Sequence, residues 1–86
     1  RGNDVKNLIL NMAGVTEVDD QMGMFLFSAQ QTAYEQQQSF VICCLTPEVE
    51  TKLDKLEVLE LMNTTPTESE AWDIVQMEEI ERELLG

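Results

Sequence analysis

No histidine occurs anywhere in the chain, and only two of its 86 residues are cysteine. Imidazole is the commonest general base near neutral pH and the commonest metal ligand, so both His-based catalysis and a His-containing zinc site are excluded. Two thiols cannot make a four-cysteine zinc site or a disulfide framework either. They are Cys43 and Cys44, adjacent in the apolar run "FVICCL", and neighbours on a strand point to opposite faces and do not pair. They read as small buried hydrophobes of a reducing, cytoplasmic compartment. Basic residues are almost as scarce: five Lys and Arg stand against seventeen Asp and Glu, a net charge of −12. Such a chain repels phosphate backbones and anionic lipid, so neither nucleic acid nor direct membrane binding is expected, whereas a basic protein partner would be steered toward it.

Glycine is sparse, at four residues, and no Gly-rich phosphate loop stands anywhere. No apolar run approaches the ~20 residues needed to span a bilayer. No secretory signal is visible, and the chain opens "RGNDV" without Met, so a segment upstream is expected. What is present is a folding composition, 43% hydrophobic despite the charge, in a length that suits one small domain spanning 1–86.

The apolar pattern alternates between two periods. "VKNLILNM", Val5–Met12, predicts a strand covered on both faces, because Leu8, Ile9 and Leu10 are consecutive. From about Asp20 the spacing turns helical, with Met22, Phe25, Leu26, Ala29 and Ala33 sharing an expected inner face. Phe40–Leu45 predicts a second buried strand. "TPEVETKLDKL" starts a helix with Thr46 as cap, Pro47 in the first turn and Glu48 and Glu50 at the positive end of the dipole. Its buried stripe is Val49, Leu53 and Leu56. Val58–Met62 is a third, weaker strand candidate. Thr65-Pro66-Thr67-Glu68 is a capping box that starts the last helix near Pro66, and Thr67 with Glu70 offers a second register. Ala71, Ile74, Val75 and Trp72 are expected to pack, while "MEEIERELLG" reads as a solvated tail in which Ile80, Leu84 and Leu85 are free to dock elsewhere.

The order β-α-β-α-β-α predicts an α/β fold with a mostly parallel sheet and helices packed on it. Three strands make a thin core, so an upstream strand or a partner is expected to complete the sheet, and an open edge would also allow a homodimer.

The turn between the first strand and first helix, "VDDQMGM", is where α/β sheets place their chemistry. It carries Asp19 and Asp20 but no Ser, Thr, Cys or Lys. Paired carboxylates could hold Mg²⁺ as in a receiver domain, but that chemistry needs a third Asp at the next strand's end and a nearby Lys. The next strand ends "CCLTPE", and Lys52 and Lys55 lie inside the following helix. No nucleophile or base stands at any strand end, so no enzyme, metal or cofactor is expected. One of the two Asp residues is expected to cap the helix.

The stretch from Lys6 to about Val75 resembles the STAS domain, the fold of anti-sigma-factor antagonists. The family pattern runs apolar strand, Asp-Ser-Ser/Thr-Gly-Leu-Gly, helix, apolar strand, a "-SPEV-" helix start and a closing "S-x-x-EA" helix. "LTPEV" (45–49) and "TESEA" (67–71) match best. The family's initial strands and first helix have no counterpart, so the domain is read as incomplete at its N-terminus. In the family, the Ser after the Asp is phosphorylated by a partner kinase that is also the anti-sigma factor. Without gaps Asp19 matches the family Asp and Asp20 replaces that Ser; a shift of one, matching Gly23, puts Gln21 there. Neither register supplies a hydroxyl. The resemblance implies a non-catalytic regulatory module of bacterial transcription, binding an anti-sigma factor of the serine-kinase type in a partner-switching pathway. Docking would use Asp19, Asp20, Gln21, Met22, Gly23, Met24 and Phe27, with Gln31 further along the helix. An Asp carries −1 against the ≈ −1.5 to −2 of phosphoserine, so Asp20 would imitate the phosphorylated state in part. The alternative is a cytoplasmic STAS-like accessory domain or subunit of an anion or lipid transporter, where no phosphosite is needed.

Overall fold

A computed structural model describes residues 7–85. Three strands, β1 (Leu8–Asn11), β2 (Phe40–Cys43) and β3 (Thr64–Thr65), form a parallel sheet in the order β1-β2-β3. They alternate with α1 (Asp20–Glu35), α2 (Pro47–Lys55) and α3 (Glu68–Leu85). The β-α-β-α-β-α order is the expected one. Leu8 pairs with Phe40 and Asn11 with Cys43 across the first ladder, and Ile42 with Thr64 across the second.

The period-2 geometry of β2 divides the core. Phe40 and Ile42 face one way, into a cluster with Leu26, Val49, Leu53 and Val58 from the α1 and α2 side. Val41 and Cys43 face the other way, against Ala71 and Val75 of α3. The sheet is therefore sandwiched, with α1 and α2 on one face and α3 on the other. All four β2 residues are buried, as a central parallel strand requires. Each such side chain contributes roughly 1.5–3 kcal/mol through the water it sheds. No helix among the described residues is long and apolar enough to cross a membrane.

Several expectations are corrected. Of the first strand, Val5 and Lys6 lie outside the described residues, and pairing runs over Leu8–Asn11 only. β1 is the sheet edge, and its two faces are only partly covered: Leu10 packs toward the α1 and α2 cluster and Ile9 toward α3, while Leu8 is 53% exposed. β2 ends at Cys43, because Cys44 turns into the left-handed region (φ 62°) and leads the chain toward α2.

The Val58–Met62 strand is not formed; Leu59–Leu61 is a single 3-10 turn. The amides that a strand would offer are spent locally. Val58 N–H donates to Leu53 O, Leu61 N–H to Val58 O and Met62 N–H to Leu59 O. Val58 and Met62 still reach the core, so the apolar pattern marks buried residues but carries the spacing of a helical turn rather than of a strand. The ladder resumes only beyond Met62, where Asn63 O accepts from Ile42 N–H at 2.9 Å and Thr65 O from Cys44 N–H at 3.1 Å.

α3 begins at Glu68 rather than Pro66. Thr65 is held in the sheet beside Cys43, its hydroxyl donating to Thr67 O (2.7 Å), so it stands in the strand and not at a helix start. Thr67 takes that role: its Oγ1 accepts from Glu70 N–H at 3.2 Å and donates to the Glu70 carboxylate at 2.9 Å. Trp72, expected to pack, projects into solvent instead, because Ala71 and Val75 already fill the face toward β2.

Candidate functional site

Between β1 and α1 the chain is pinned at two points before it presents its carboxylates. Val15 N–H closes a turn onto Met12 O (3.0 Å), and Val15 O accepts the Thr46 hydroxyl at 2.9 Å. Thr46 therefore serves two elements, because its Oγ1 also caps α2 by accepting from Val49 N–H at 3.4 Å. Val15 and Val18 pack against the core and hold the loop down. Asp19 follows as the N-cap of α1: its Oδ1 accepts from Met22 N–H at 2.7 Å. A cap of this kind is worth about 0.5–2 kcal/mol.

Asp20 is the first residue of the helix and is largely exposed. Its carboxylate pairs with the Lys52 ammonium of α2. By sequence Lys52 is a helix-interior residue remote from the turn, yet its side chain extends across to it. What allows this is Gly23, one turn further on and buried. A Cβ at Gly23 would lie 2.5 Å from Leu56 Cδ1 and 3.4 Å from Leu53 Cδ2, so its bare backbone lets α1 come close to α2.

That close approach also sets the rotation of α1. Gly23 and Leu26 face inward, with Phe27, Ala29 and Ala33 half-buried beside them. Met22 and Phe25, expected in the core, are turned outward, and Phe25 is 64% exposed. Met24 is exposed as well, so three large apolar side chains on the surface follow directly on the acidic turn. Of the residues implicated by sequence, Asp19, Asp20, Gln21, Met22 and Met24 are on the surface, as is Gln31. Gly23 lies beneath them, and Phe27 is half-buried against the core. Phe25 and Lys52 are the surface residues that sequence reasoning missed; the glycine spacing from 23 was the signal for the first, and nothing local marks the second.

A family model described as the STAS domain matches residues 1–71. The chain belongs to the STAS domain family. Comparison with curated proteins gives no significant match. In this STAS domain the carboxylate pair is already engaged, one member in a cap and the other with a lysine. Among the described residues no three Asp, Glu or Cys side chains converge as metal ligands would.

The thiols of the STAS domain lie near the same end of the sheet but on the α3 side. Both are free, Cys43 buried and Cys44 half-exposed. Burial pushes the Cys43 thiol up to about 11, with the neighbouring Cys44 and the charge of Glu68 adding to the effect. A thiol held neutral in this way is a poor nucleophile near pH 7.

The opposite end of the sheet is built differently. Buried Ser39 donates to Glu78 at 2.5 Å and accepts from Arg82 at 3.2 Å. Arg82 reaches Asn7 Oδ1 at 3.3 Å, and Asn7 Oδ1 also accepts from Ser39 N–H at 3.0 Å. Asn63 donates to Glu78 at 3.3 Å, and its backbone N–H donates to the Gln30 side-chain carbonyl oxygen at 3.1 Å. These bonds tie α3 and α1 to the amino ends of the strands.

Proposed function

We propose that this STAS domain is a non-catalytic regulatory module of the anti-sigma-factor-antagonist kind, docking through the turn at Asp19–Gly23 and the exposed apolar residues of the first turns of α1. The observation that carries this reading is the turn itself. At the start of α1, where the family pattern has a phosphorylatable hydroxyl, the chain presents an exposed Asp20 held by Lys52. Met22, Met24 and Phe25 follow as exposed, flexible or aromatic contacts, a composition suited to protein interfaces. Asp20 acts as a permanent, weaker counterpart of a phosphoserine. The partner is an anti-sigma factor of the serine-kinase type, and the module stays near its released state.

Titration of the wild-type chain and Asp20→Ser against one purified anti-sigma kinase, at two salt concentrations, tests this. Removing a carboxylate that must be desolvated at the interface should strengthen binding by roughly one to two decades. Asp20→Ser should also become ATP-sensitive in the kinase's presence, whereas residues 18–24 of the wild type stay unmodified. Weaker binding by the Ser variant, most marked at low salt, would make Asp20 a direct contact to a basic partner and overturn the reading.

A further inference from the structure

α3 carries two apolar faces, and the fold uses one. Ala71, Ile74 and Val75 pack on the sheet. Met77, Ile80 and Leu84 recur at i, i+3 and i+7, which places them within an arc of about 60° on the opposite side of the helix. They are 61%, 55% and 81% exposed. This stripe lies wholly beyond residues 1–71, the part that matches the STAS family model.

Charge decides what can cover it. Asp73, Glu81 and Glu83 are exposed along or beside the stripe. The only basic residue of the helix, Arg82, is turned to the sheet, where Ser39 and Asn7 hold it. Glu78 and Glu79 are likewise engaged, with Ser39 and Asn7 respectively. The outer face therefore offers an apolar seam with only negative charge around it. A second copy would bring glutamates against glutamates along that seam, and an anionic bilayer would repel it. We infer that the outer face of α3 docks a helix of a partner protein that carries an apolar stripe flanked by Lys or Arg.

The test uses the full chain and two synthetic helical peptides with leucine seams, one flanked by lysine and the other by glutamate. Calorimetric titration should show binding of the lysine peptide, weakened at high salt, and none of the glutamate peptide. The double variant Ile80→Gln/Leu84→Gln should weaken the lysine peptide by at least about tenfold. It should keep the wild-type helical circular dichroism, because both side chains face solvent. Leu61→Gln, which removes an exposed apolar side chain outside α1 and α3, should bind the lysine peptide as the wild type does. No binding by the wild type, or equal binding of both peptides, would overturn the inference. Equal affinity of the double variant would reduce the attraction to net charge and overturn it as well. Self-association of the wild type in sedimentation, abolished in the double variant, would identify a second copy as the occupant instead.

Discussion

The two ends of the sheet treat their polar groups in opposite ways. At the amino ends of the strands, Ser39, Asn63, Glu78 and Arg82 converge from the segments before β2 and β3 and from α3 into one partly buried network. At the carboxyl end, Asp19 satisfies only its own helix, and Asp20 pairs directly with a single lysine at an exposed position. Low dielectric makes the first arrangement strong when complete and costly when broken; solvent makes the second cheap to rearrange. The amino end locks the helices to the sheet, and the turn is held only by exposed contacts that cost little to rearrange.

The comparison can be broken by substitution, with denaturant unfolding as the common measurement. Leu53→Ala, in the core shared by α1, α2 and the sheet, sets the upper bound: a loss of about 2–5 kcal/mol. Ser39→Ala should cost about 1–3 kcal/mol, because Glu78 and Arg82 each lose a partner in a partly buried site. At the other end Asp19→Ala should cost about 0.5–2 kcal/mol, the worth of a helix cap. Lys52→Met should change stability by less than about 1 kcal/mol, since its ion pair is exposed. If Lys52→Met cost as much as Ser39→Ala, the turn would be a structural lock and not an open surface.

A pH series sharpens the picture on the α3 side of the sheet. The Cys43 thiol is held up to about 11 by burial, against an ordinary value of 9.0, so folding favours its neutral form. That contribution is complete below pH ~9 and is lost as pH rises toward ~11, where the unfolded chain has already ionised its thiol. Unfolding free energy should therefore decline between these values, and Cys43→Ala should remove that part of the slope. Thiol labelling of the native chain near pH 8 should modify Cys44 well before Cys43, whose side chain is fully buried.

Helix starts were legible because capping is local chemistry. Thr46, Pro47 and the acidic first turn mark α2 within a few residues of chain, and Asp19 marks α1 in the same way. β2 was legible because four consecutive apolar residues in a short run have few other solutions than a buried strand. The parallel α/β order followed from that alternation. The acidic turn was visible as a missing hydroxyl, which is a property of residue identity alone.

What only the tertiary structure decided depends on contacts between segments far apart in the chain. The rotation of α1 was set by Gly23 meeting Leu53 and Leu56, so Met22 and Phe25, apolar and correctly spaced, were turned to solvent. The third strand was displaced to Thr64–Thr65 because the amides of Val58, Leu61 and Met62 closed on their own neighbours before reaching β2. Lys52 came to Asp20 across a helix–helix approach that no local pattern encodes. Composition, caps and periodicity act within a few residues and so determined which elements form. The buried stripes of α2 and α3 were already in their spacing. Which face α1 buries, and which charge meets which, depended on how closely the elements could pack, and only the assembled chain contains that distance.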